Sequence, residues 1–156
     1  MANLFSLEPA QMQLLQTVQE LRECNEFTLR FGLALSETEI RELAEGRLSA
    51  LQNSGRIEFR DGILKKLIRT FCDSPYLTQE NYAETMLELQ DSFYYFKNES
   101  LDRISDDELI EYMKMVFDGR AQGSPDYLTG TSLEELCRYA REGYDPHDGG
   151  LSGDLF

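Results

Sequence analysis

The chain has 156 residues, 41% hydrophobic and 28% charged, enough for one domain with a real core and too short for two comfortable ones. A formal net charge of −14 repels phosphate backbones, and three cysteines (Cys24, Cys72, Cys137) at wide, unrelated spacings make neither a disulfide framework nor a zinc pattern. No apolar run approaches the roughly 18–20 residues of a membrane span, and MANLFSLEPAQMQ carries no secretory signal pattern, so a cytoplasmic protein is expected.

In chain order, the first helical pattern runs from Pro9 to Cys24, with Pro9 in the first turn and Leu14, Leu15, Val18 and Leu21 as its apolar stripe. FTLRFGL then alternates: Phe27, Leu29, Phe31 and Leu33 share one side, which is the period of a short strand. Ser36 and Glu39 form a capping box for a second helix, which places Ile40, Leu43, Ala44, Leu48 and Leu51 on one face and ends at NSG. Arg56 to Phe59 (RIEF) is a second alternating stretch, and the two together are candidates for a two-stranded ribbon.

Asp61 can cap a third helix that turns Leu64, Leu67, Ile68 and Phe71 inward, and Pro75 stops it. Thr78 is the expected cap of a fourth and longest helix, ending near Asn98. SDDE (Ser105 to Glu108) and TSLE (Thr131 to Glu134) read as capping boxes for two more, with Gly119 and Gly143 as stops. The expectation is a mainly α, single compact bundle of about six helices over residues 1–143, with a flexible acidic, Gly-rich tail over 144–156.

The stretch GRIEFRDGILKKLIRTFCDSPYLTQENYAETMLELQDSFYYFKNES, with SDDELIEYM and GSPDYLTGTSLEEL, resembles a Firmicutes family of small acidic proteins known only as a domain of unknown function. The resemblance spans about Leu33 to Arg141. It implies a bacterial cytosolic protein and supplies no activity, ligand or catalytic residue.

Chemistry must therefore be sought in the residues. Cys72 lies about 40° from Ile68 on the margin of the third helix's stripe, where a cysteine serves as a small buried hydrophobe. Asp73 beside it disfavours thiolate, and the single histidine, His147, sits in the tail. Asp73 and Ser74 are then expected to bond to local backbone in the turn. No Glu-x-x-His pair, phosphate-binding loop or nucleophile elbow occurs, and DPHDGGLSGD departs from calcium-loop spacing, so no metal or cofactor is expected.

Helix four carries Tyr82, Met86, Leu89, Phe93 and Phe96 as one stripe and Ala83, Leu87 and Tyr94 as a second, which suits the central helix. Its remaining face holds Glu84, Glu88, Asp91 and Tyr95. Since Tyr94 and Tyr95 cannot both enter one narrow core, at least one is expected near the surface.

Positive charge gathers at Arg56, Arg60, Lys65, Lys66 and Arg69, either to pair with the acidic second half or to dock an acidic partner. Residues 1–75 carry a balance of −2 and residues 76–156 one of −12.

The leading expectation is a non-enzymatic helical module that binds an unidentified protein, with Tyr94, Tyr95, Lys65, Lys66 and Arg69 as candidate surface, and without direct nucleic-acid or membrane binding. The alternatives are an acidic mimic that occupies a nucleic-acid-binding protein, and an enzyme using Cys72 or a carboxylate pair.

Overall fold

The computed structural model describes residues 8–58 and 62–142. Long helices α1 (Pro9–Thr28), α2 (Glu37–Ser54), α4 (Tyr82–Glu99) and α5 (Asp106–Asp118) pack with the shorter α3 (Ile63–Phe71). A single turn, α6 (Pro125–Tyr127), passes through a π-helical turn at Leu128–Ser132 into α7 (Leu133–Arg141). The result is the expected mainly α bundle. At its centre, α4 packs against α2, α3, α5 and α7, while α1 closes over α2 and α3. Both predicted stripes of α4 point inward: Tyr82, Met86, Leu89, Phe93, Tyr94 and Phe96 are buried, and Ala83 and Leu87 pack against the core.

The start signals have visible causes. Ser36 Oγ accepts from the Glu39 N–H at 3.1 Å while the Ser36 N–H donates to Glu39 Oε1 at 2.9 Å, closing the capping box of α2. Ser105 Oγ accepts from the Glu108 N–H at 3.2 Å to open α5. Gly55 ends α2 with a left-handed φ of 68°, and Gly119 follows α5.

Several expectations need correction. The alternating FTLRFGL is no strand: α1 continues to Thr28, Leu29–Phe31 form a 3-10 turn, and Gly32 closes it at φ 76°. Leu29 and Phe31 face solvent while Phe27 and Leu33 pack inward, so the alternation marks no single face. Ile57, expected inside a second strand, is 72% exposed. Phe59, its expected companion, lies outside the described residues, as do Arg60, Asp61, Gly143, His147 and the 144–156 tail. No strand occurs among the described residues.

In α1, Leu15 is exposed, and the buried line runs through Thr17, Val18, Leu21 and Cys24. In α2, Leu48 is only half-buried, and Arg47 takes the interior position beside it. Asn81, not Thr78, precedes α4; the two make a reciprocal turn in which the Thr78 N–H donates to Asn81 Oδ1 at 2.9 Å. Thr131 caps nothing, because it lies within the π turn and Ser124 caps the rod at its true start.

The extended segment after Gly32 finds backbone partners without a neighbouring strand. Gln79's side-chain amide makes both bonds to Ala34, accepting from its N–H at 2.8 Å and donating to its C=O at 2.7 Å. Asn25 does the same for Leu35, at 2.8 and 2.9 Å. Two side chains thus supply what a strand would have given.

Candidate functional site

α4 separates the two tyrosines by burial. Tyr94 is 1% exposed, and its hydroxyl donates to Glu58 Oε1 at 2.6 Å, so it is removed from the candidate surface. Burial first, and the Glu58 charge second, push its pKa well above the usual phenol value. Tyr95, one residue on, is 55% exposed.

Tyr95 stands at an open cleft of about 400 Å³ between the last turns of α2 and the second half of α4, lined by Ala50, Asn53, Asp91, Asn98 and Glu99 among others. Asp91, Tyr95 and Glu99 are spaced four apart, so one carboxylate lies a turn before the ring and one a turn after it. Glu99 is held by Arg141 at 3.0 Å. Asp91 has no cation within ion-pair reach among the described residues, and its pKa is raised because surrounding protein desolvates it. Glu88 is raised as well, by desolvation first and then by Glu84, Asp126 and Asp91. The outward face of α4 is therefore acidic, with Glu99 held by Arg141 and Asp91 without a cation partner among the described residues.

The expected basic cluster divides. Arg56 pairs with Asp102 at 2.7 Å and Lys66 with Asp107 at 2.9 Å, the internal pairing with the acidic second half. Lys66 and Arg69 line a smaller groove of about 250 Å³ against α5. Arg69 also leans the other way, its Cζ 4.6 Å from the centroid of Phe27 on α1. Lys65, half-buried, lies on that same side, close enough to Cys24 to act on its charge. Tyr95 and the basic residues thus occupy separate places.

Cys72 is buried, and its thiol donates to the Arg69 carbonyl at 3.4 Å. Burial, and after it Asp73, push its pKa above the ordinary thiol value, which disfavours the nucleophilic form. Cys24 is raised by burial, and burial pushes Cys137 up to about 12. Ser74 serves the turn as expected, accepting from the Tyr76 N–H at 3.2 Å, and its hydroxyl also donates to Asp118 at 2.6 Å. Asp73 does not bond to local backbone; it pairs with Lys114 at 2.8 Å. Among the described residues no three His, Cys, Asp or Glu side chains gather as metal ligands.

The sequence reading missed a buried polar knot behind Tyr94. Arg47, 4% exposed, contacts Glu58 Oε1 through Nε at 3.0 Å and Nη2 at 2.9 Å, and donates to Thr17 Oγ1 at 2.9 Å. Gly62 closes over it, because a Cβ there would stand 2.6 Å from Glu58 Oε1 and 2.7 Å from Arg47 Nε. The knot ties α1, α2 and α4 to the connector before α3. Its signal was available: Leu43, Arg47 and Leu51 recur every four residues, so a cation occupied the inward stripe.

A model for a family of unknown function (DUF6323) matches residues 20–146. No curated protein and no solved structure matches the chain. The match covers most of the sequence, and the chain belongs to that family.

Proposed function

We propose that this member of the DUF6323 family is a non-enzymatic cytoplasmic module that binds another protein through the outward face of α4. The observation that carries the reading is Tyr95, exposed at the mouth of the α2–α4 cleft with Asp91 and Glu99 one turn to either side. An exposed aromatic beside an unpaired carboxylate, Asp91, suits a cationic side chain, which gains from the ring's electron-rich face and from the charge together. Asp91 strengthens the reading, because its carboxylate lines the cleft beside Tyr95 with no cation in ion-pair reach among the described residues.

A pull-down from the native host with wild type and Tyr95→Ala tests this. Tyr94 should be left intact, since its truncation would strip a hydrogen bond from the Glu58 knot. The expected result is a stoichiometric partner retained by wild type and lost by a variant whose urea unfolding curve is unchanged. Capture of the same proteins by both chains would refute the α4 assignment.

A second reading draws on the row Glu84, Glu88 and Asp91. Its members follow one another by about 6 and 4.5 Å along the helix axis, without a compensating cation among the described residues. Such a row would let the chain occupy the basic groove of a nucleic-acid-binding protein. Displacement of the captured partner by duplex DNA would favour this reading, and indifference to DNA would favour the first.

A further inference from the structure

A second surface, of opposite charge to the first, lies where α1 ends. Phe27 is half-buried, and two guanidinium groups approach its ring: Arg30 Cζ and Arg69 Cζ each stand 4.6 Å from the centroid. Arg30 is anchored by its Nε–H, which donates to the Phe27 carbonyl at 3.2 Å. Arg69 comes from α3, with Lys65 one turn before it on the same side, where both cations partly offset the rise of the Cys24 pKa that burial causes. The 3-10 turn that carries Arg30 also holds its two neighbours out of the core, Leu29 at 62% and Phe31 at 41% exposure, with the Phe31 ring 6.0 Å from that of Phe27.

The chain has 29 acidic and 15 basic residues, and cations such as Arg22, Arg47, Arg56 and Lys114 hold a carboxylate partner. Neither Arg30 nor Arg69 has one among the described residues, although acid is in excess. Arg41, Lys65, Arg103 and Arg138 also stand without a carboxylate partner among the described residues, and what sets Arg30 and Arg69 apart is that both approach one ring. Two like charges gathered at one ring repel each other, and an anionic partner beside them would relieve that repulsion. Guanidinium groups also match carboxylates geometrically, through paired N–H donors.

We propose that Arg30 and Arg69, with Leu29 and Phe31 beside them, form a docking surface for an acidic segment of a partner protein, one that sets a carboxylate next to an apolar side chain. Carboxylates of the segment pair with the guanidinium groups, and its apolar side chain covers Leu29 and Phe31. An anionic bilayer would meet the same cations, but the charge of −14 on the whole molecule opposes approach to an extended negative surface far more than to one short segment. This surface is independent of the α4 face, and the two together would let one chain join a basic partner to an acidic one.

The test is a titration of the isotopically labelled full chain with the blocked peptide Ac-Asp-Leu-Glu-Phe-NH2, followed by amide chemical shifts. Saturating shifts are expected at residues 27–31 and 65–70. They should weaken by about tenfold or more in Arg30→Ala/Arg69→Ala, and disappear with the Asn/Gln version of the peptide. A well-dispersed spectrum of the double variant establishes that it is folded, and single Arg→Gln variants serve if it is not. Absence of shifts, shifts centred elsewhere, or equal binding by the variants or of the neutral peptide would overturn the proposal. So would binding to phosphatidylserine vesicles without binding to the peptide.

Discussion

Asp91 illustrates how one side chain can oppose the fold that carries it. Its folded pKa is raised by desolvation, so ionisation costs stability. That cost is fully present above the folded pKa and absent below the unfolded value of about 3.9. Asp91→Asn is therefore expected to raise the thermal midpoint at pH 7, with the gain fading as pH falls toward about 4. Midpoints measured across that range check the sign, and a variant less stable at pH 7 would contradict it. Little of this was legible in the sequence: Asp91 could be placed on the polar face of α4, but its separation from any cation depends on where α2 and α7 pack. Tyr94 and Tyr95 were legible as a pair of which one must lie near solvent. Which one followed from Glu58, 36 positions away, accepting the Tyr94 hydroxyl.

At the scale of elements, start signals and stripes read well wherever the information is local. Ser36, Ser105 and the inward faces of α3 and α4 stand where spacing put them. Failures came where two local solutions compete. Thr78 has the chemistry of a cap but spends it in a turn with Asn81, and FTLRFGL alternates although α1 has not yet ended. The join between α5 and α6 rests on tertiary contact that spacing does not reveal. Gly123 has φ 79°, and its N–H donates to the Phe117 carbonyl at 2.8 Å. A Cβ there would stand 2.5 Å from Tyr76 Cβ, a part of that side chain that cannot swing away. Gly123→Ala combines left-handed strain with this overlap and should cost about 2 kcal/mol or more, read from urea unfolding. At Gly55, also left-handed but with nothing within 4 Å of a Cβ, alanine should cost only the backbone term, about 1 kcal/mol. Equal losses at the two sites would show that the Tyr76 contact is unimportant.

For the whole molecule, the excess of acid sets the response to salt. Most ion pairs among the described residues join partly exposed partners, and such pairs contribute about 0–1 kcal/mol each. Repulsion among the unpaired carboxylates acts over longer distances and is screened more effectively, as the Debye length shrinks from about 30 Å at 0.01 M to about 8 Å at physiological ionic strength. The thermal midpoint should therefore rise over that range. A fall would mean that the exposed pairs outweigh the net charge of −14.

The amide clasps of Asn25 and Gln79 bear on how copies of the chain behave when crowded together. An extended backbone edge with unused N–H and C=O groups is a template on which other chains can build a ladder. Here Ala34 and Leu35 have their groups occupied from within the same molecule, by side chains anchored at the end of α1 and just before α4. Hydrolysis of the Asn25 amide to a carboxylate would remove the donor that holds the Leu35 carbonyl. Slow chemical ageing at that one side chain would then reopen an edge that the fold keeps shut.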